Sequence, residues 1–497
     1  MPRFTTKSNS TLAGTALPVV GLFSFAALVA SPSPLILVAS GLCLALIILL
    51  LWTPDDIPAL FIMALFQWTE VAAWPISTLW KQVPLNALSS HNADLDSAAL
   101  YGLLGICVLT IGLRIGVGRA AKFAFSQRVK QDAALWSYSS IARIAFFTIG
   151  AGYAAAFLSN AATPTRELFN QLSNIKYVGI FALSYWCLVR RSHLQVLLAV
   201  TVFEVIFGMT GFFAEFKNSI LTLIVAAIAA RPRLKSNDVV AVTVAGFLLV
   251  GVGIFWTAVK PSYRTFVNQG GGGQVVLEPI EERLKFLATF AANMTLNQFV
   301  DGADRLISRH GYIEFLGLTM QHVPAGTPHE DGQLTLALIK HITVPRFLFP
   351  DKPVLVNDTE ITAKYTGLPL VSNGETSISI GYLGELYVDF GFIGALVAVG
   401  IIGLLTGRAY KLLRDQASDS ALLTAGLCLI IALPQAYFGS AYFKNIGAAV
   451  FSTAIAFALQ RFWLPLALAR RQRLVRHTIK AIQKPDFNKQ VLQVHKG

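Results

Sequence analysis

The segment VPRFLFPDKP (344–353) sets Arg346 and Lys352 in a frame stiffened by Pro345, Pro350 and Pro353. Proline fixes φ, so the two cations are held at a nearly constant spacing. A planar guanidinium suits two-pronged binding of a phosphate, and an ammonium adds a point charge beside it. A rigid surface loop with solvated charges is the plainer reading. Phe347, Leu348 and Phe349 between the cations favour packing against a membrane face, and with it the phosphate reading.

A second constellation opens a helix at GYLGELYVDFG (381–391). Glu385 and Asp389 are four apart, so they share one helical face with Cβ atoms about 6 Å apart. Acids in a first helical turn complement the helix dipole, which is explanation enough on structural grounds. Asp389, however, leads into an uninterrupted apolar run, where an acid must pair or face a cavity. Two near carboxylates can also split their pKa values and leave one as a base near neutral pH. Tyr387, off that face, is the candidate substrate contact; an interfacial anchor is the simpler role.

Further charges lie in or near apolar runs. Glu204 sits mid-run and is expected to be neutral or paired. Lys217 (in AEFKNS, with Glu215) and Lys444 sit at outward turns, where a lone lysine usually snorkels. Lys217, Arg346 and Lys444, on different elements, could also converge on one anionic ligand. Glu70 is a weaker candidate. His310, His322, His329 and His341 read as ordinary solvated histidines, and His341, five residues before Arg346, is the one with acid/base potential. Cys43, Cys107, Cys187 and Cys428 all fall in apolar runs and imply neither disulfide nor metal. No metal site and no cofactor is expected.

What positions these residues is a membrane. The chain is 54 % hydrophobic and 13 % charged, with a mean hydropathy of +0.59, against roughly 25 % charged for a soluble domain. Continuous apolar runs favour helices over a barrel. Twelve spans are expected, in an all-α polytopic protein: roughly 13–31, 34–52, 57–78, 97–115, 137–157, 175–190, 193–211, 218–230, 238–258, 380–406, 420–438 and 446–464. The first run, after Arg3 and Lys7, is read as a retained helix because no cleavage site follows it. The net charge of +13 concentrates in short loops and the tail. That is the positive-inside pattern and no signal for nucleic acid.

Four regions follow: helices over 1–258, a long outer loop over 259–379, helices over 380–464 and a basic tail over 465–497. Both termini are expected to be cytoplasmic. The loop carries ten Lys/Arg against twelve Asp/Glu across Lys260–Ser379. Within it the flexible Gly270–Gly273 precedes one long amphipathic helix from Glu278 to His310. A second helix spans Leu334–Thr343, ended by Pro345, and a third is capped by Asn357.

Taken together, the late outer loop with PRFLFPDKP and the helix opening GYLGELYVDFGFIG resemble bacterial O-antigen polymerase-type proteins, the oligosaccharide repeat-unit polymerases. The shared positions are Pro345, Arg346, Pro350, Lys352, Pro353, Gly384, Glu385, Tyr387, Asp389, Phe390 and Gly391. The motif covers about 50 residues, and helix number and loop placement extend the likeness. The resemblance implies a GT-C-like membrane glycosyltransferase of the bacterial inner membrane, with its long loop periplasmic. It would transfer a growing glycan from undecaprenyl diphosphate onto a new lipid-linked repeat unit, without a nucleotide sugar, building a cell-surface polysaccharide. Arg346, Lys352, Lys217 and Lys444 would hold the diphosphate, and Glu385 or His341 would serve as base, with Asp389 beside them. Its partners would be the lipid-diphosphate-linked oligosaccharide, membrane lipids, a chain-length regulator and a flippase. An O-antigen ligase, or a transporter or flippase of the same lipid-linked sugar, are the alternatives. The topology predicts that a single cysteine at Asn357 reacts with impermeant reagents from outside; labelling only after cytoplasmic access is opened would overturn it.

Overall fold

The computed structural model describes residues 12–118, 124–161, 165–211, 216–231, 236–271, 276–344, 349, 357–370, 377–417 and 420–468. Arg346 and Lys352 lie outside these. The described chain is helical throughout, with no strand. The N-terminal half contains α1 (Leu12–Ala30), α2 (Pro34–Leu51), α3 (Ala59–Lys81), α4 (Leu95–Val117), α5 (Phe125–Leu135), α6 (Tyr138–Ala161), α7 (Arg166–Ser173), α8 (Lys176–Arg190), α9 (Leu194–Met209), α10 (Phe216–Ala230) and α11 (Ser236–Val267). The loop region folds as α12 (Ile280–Asn293), α13 (Leu296–His310), α14 (Glu314–His322), α15 (Gln333–Thr343) and α16 (Asp358–Thr366). The chain then closes with α17 (Tyr382–Asp415), α18 (Ala421–Ala432) and α19 (Tyr442–Ala458).

Among the described residues, eight helices are long and apolar enough to cross a membrane, and four more apolar helices are shorter. Each of the apolar runs read from the sequence falls on a helix. At 1.5 Å per residue, α9 with 16 residues, α10 with 15 and α18 with 12 reach only about 18–24 Å. A bilayer core is about 30 Å thick. Beside the short α10, Lys217 is exposed although closely surrounded by protein, which marks a recess in the bundle.

The centre is the pair α4 and α17, which touch backbone to backbone. A Cβ at Gly112 would stand 2.4 Å from Gly400 O, and one at Gly116 2.2 Å from Leu404 O. Without a hydrophobic drive between helices in lipid, such close approach is what holds them. α17 is not one helix. Gly391 takes φ 69°, so the buried stretch Tyr382–Asp389 is set at an angle to the rest.

The loop region departs from expectation in one place. The single helix over 278–310 is broken at Met294–Thr295, because Thr295 and Gln298 form a capping box that starts a new helix. Asn357 caps α16 as expected, accepting from Thr359 N–H at 3.0 Å. The remaining loop is not an outlying domain. His310 and Tyr312 pack beside the middle of α3: Tyr312 N–H donates to Glu70 O at 2.9 Å, and the rings of Phe66 and His310 lie 5.4 Å apart.

Candidate anion-binding site

The recess ends on a turn, 436–441, between α18 and α19. Two buried carboxylates from different helices hold it. Glu70 of α3 accepts from Gly439 N–H at 2.9 Å, and Glu385 of α17 accepts from Tyr442 N–H at 3.0 Å. Gly439 is required there, since the Tyr312 ring lies 2.5 Å from where a Cβ would stand.

Cations gather around this turn. Lys217, at the start of α10, stands 6.0 Å from the Tyr437 ring centroid. It is exposed to the recess yet surrounded by protein, within electrostatic reach of Glu70 and Arg309. Lys260 and Arg264, on the last turns of α11, are in reach of Arg309, and Lys260 also of Lys217. Arg305 and Arg309 come from α13. Among the described residues Lys217, Lys260, Arg305 and Arg309 take part in no ion pair; Glu70 is the carboxylate nearest Lys217 in this group. Two like charges about 8 Å apart at an effective dielectric near 20 repel by about 2 kcal/mol. Lys217, Lys260, Arg305 and Arg309, from three helices and with Arg264 beside them, therefore form a site that an anion would stabilise.

His310 stands at the edge of the cluster. Its Nε2 lies 2.9 Å from the Thr69 hydroxyl, which itself donates to Phe66 O at 2.7 Å. The hydroxyl's one proton is thus used, so the imidazole donates through Nε2 and keeps its lone pair on Nδ1. Burial first, then the charge of Lys217, pushes the His310 pKa down to about 4. The ring is neutral at physiological pH and adds no further positive charge.

The residues singled out in the sequence separate into several places. Glu385 is 1 % exposed, occupied with the N-terminus of α19, and its Oε2 has no hydrogen-bond partner. Asp389 is fully buried and serves another helix. It accepts from Leu334 N–H at 3.0 Å, Thr335 N–H at 2.9 Å and the Thr335 hydroxyl at 2.6 Å. It is thus the N-cap of α15, supplied from a distant part of the chain, and its pairing demand is met within the protein. His341 lies near the other end of that helix. Tyr387 is buried, donates to Val323 O at 3.1 Å, and meets Tyr101 and His329 edge-on. Lys444 pairs with Asp358 and lies 3.2 Å from the Ser377 hydroxyl, away from the Lys217 cluster. Glu204 is paired: it accepts from Tyr153 OH at 3.0 Å and Ser219 at 2.7 Å, with Lys176 at 3.8 Å. Among the described residues no group of three or more His, Cys, Asp or Glu is placed to hold a metal ion.

Sequence reasoning missed Lys260, Arg264, Arg305 and Arg309. Their signal was two basic pairs at i,i+4 spacing, which destabilise an isolated helix and so need a reason. Compared with known proteins, the chain matches no family model, no curated protein and no solved structure.

The Asp389 contact is testable. Asp389→Ala removes a capping acceptor worth about 1–2 kcal/mol. Amide exchange at Leu334 and Thr335 should quicken roughly fivefold to thirtyfold. Unchanged exchange would show that the carboxylate does not hold α15.

Proposed function

We propose that the chain is a membrane glycosyltransferase that polymerises lipid-diphosphate-linked oligosaccharide repeat units at the outer face of a bacterial cytoplasmic membrane. The observation that carries this reading is the gathering of Lys217, Lys260, Arg305 and Arg309 near the 436–441 turn, which has the charge to receive a lipid-borne diphosphate. Among the described residues, eight long and four shorter apolar helices support a polytopic membrane protein; twelve spans, a GT-C-like architecture and cytoplasmic termini are part of the proposal.

In this reading Lys217, Lys260, Arg305 and Arg309 take the diphosphate; Arg346 and Lys352, which lie outside the described residues, join them on the strength of the resemblance alone. The acceptor hydroxyl attacks the anomeric carbon of the growing glycan. A new C–O bond forms, the sugar–diphosphate C–O bond breaks, and its electron pair goes to the diphosphate oxygen. Fixed cations stabilise that developing charge without a metal being required. The hydroxyl proton passes to a carboxylate of the recess. Glu70, 7 % exposed and beside Lys217, is better placed than Glu385 at 1 %. Transfer to a repeat unit, as opposed to a lipid A core, rests on the resemblance of the late motif.

The test is turnover by purified protein in liposomes, given one lipid-diphosphate-linked oligosaccharide from its host, with products resolved by size. The expected result is a ladder spaced by one repeat, reduced about 100-fold or more in Arg309→Ala, as for loss of a donor that stabilises developing charge. Movement of the substrate across the bilayer with no ladder would make the protein a flippase. A ladder untouched by Arg309→Ala and Lys217→Ala would detach the cluster from the chemistry.

A further inference from the structure

We propose that a partly open cavity where α2, α3, α4 and α17 meet holds the headgroup of an anionic phospholipid, with Arg114 on its phosphate. The walls come from the ends of three spans. Leu50 and Leu51 close α2, Leu60 and Phe61 open α3, and Arg114 and Val117 lie on the last turn of α4. All three helices are long and apolar enough to cross a membrane. Their ends coincide here, so the cavity lies where hydrocarbon gives way to headgroups. On α3 it precedes Glu70 by nine residues, about 14 Å of helix, and so is separate from the cation cluster.

One charge in this cavity is uncompensated. Asp56 lines it, but Arg414 Nη1 donates to that carboxylate at 2.5 Å, Tyr410 OH at 2.9 Å and Ile57 N–H at 2.8 Å. Tyr410, another wall, thereby uses its one proton. Arg114 is exposed and, among the described residues, takes part in no ion pair. The Thr53 hydroxyl accepts from Asp55 N–H at 3.4 Å and, among the described residues, donates to no protein group. Lys411 reaches the same helix end, its Nζ 3.4 Å from where a Cβ on Gly118 would stand. A lone arginine at the end of a span usually snorkels into water. Arg114 instead borders a cavity with a free hydroxyl in its wall and a second cation near its rim, a donor set that suits phosphate.

The walls decide between a free phosphate and a lipid. Leu50, Leu51, Leu60, Phe61 and Val117 offer a hydrated anion nothing in exchange for its water. An amphiphile uses both the apolar walls and the cationic rim, as in other basic pockets between spans. An approach from the membrane is also present. Leu100, Leu104, Ile111 and Ile115 are exposed on α4, and their spacing makes one stripe that ends beside Arg114. Acyl chains can lie along that stripe while the phosphate meets the guanidinium.

The test is native mass spectrometry of the purified full chain in detergent, titrated with phosphatidylglycerol, phosphatidylcholine or inorganic phosphate. The expected result is one phosphatidylglycerol bound several-fold tighter than phosphatidylcholine and left in place by excess inorganic phosphate. Binding should weaken about fivefold or more in Arg114→Gln. It should be unchanged in Arg143→Gln, which removes an exposed arginine elsewhere. Thr53→Val, which alters no charge, should weaken binding in the same direction and serves if Arg114→Gln fails to fold. Equal binding of the two lipids, or no loss in the Arg114 and Thr53 variants, would overturn the proposal. Displacement of the lipid by inorganic phosphate would make the site one for a free anion and overturn it as well. None of these outcomes depends on the enzymatic reading.

Discussion

One turn, 436–441, is gripped from two sides by buried carboxylates, and the recess depends on that grip. Backbone N–H groups in a turn and at the start of a helix, within the depth of a membrane, are expensive unless paired. Glu70 takes Gly439 N–H and Glu385 takes Tyr442 N–H. The chain can therefore turn after α18 and begin α19 with these two donors satisfied. The space above the turn is filled in part by Tyr312, which hydrogen-bonds to Glu70 O and to Ser379 O. What stays open is lined by cations.

The cations follow from the same geometry. Lys260 and Arg264 stand on the later turns of α11, inside its apolar stretch. α13 crosses α11 at Gly302 and brings Arg309 within electrostatic reach of both. Lys217, on the first turn of α10, lies beside Tyr437. Three helices thus bring like charges together. Such an arrangement costs stability in the empty protein and is compensated when an anion binds.

Much of the fold was legible in the sequence, because a bilayer demands long apolar runs and those runs are visible. Asn357 as a cap was legible for a local reason. The break at Thr295 was also local, a Thr-x-x-Gln box inside an amphipathic pattern that otherwise continued unbroken. The site was less legible. Glu385 and Asp389 share a helical face in the sequence, yet one caps α19 and the other caps α15; helix periodicity says which side a carboxylate faces, not what waits there. Lys444 looked available and is paired with Asp358, 86 positions away. Arg309 carries no mark of its own in the sequence beyond a basic residue four positions before it. Its depth follows from Tyr312 docking on Glu70, a contact between residues some 240 positions apart that no local pattern encodes.

The central claim is that the cluster around Lys217 is built for a diphosphate. Its most direct test is binding of a short polyprenyl diphosphate, such as farnesyl diphosphate, to the purified chain by calorimetry. The monophosphate serves for comparison, with Lys260→Ala and Arg309→Ala alongside the unaltered protein. The account predicts tighter binding of the diphosphate and at least a tenfold weakening in each variant, about 1.4 kcal/mol. Equal affinity in all three proteins, or equal affinity for the two phosphates, would contradict it.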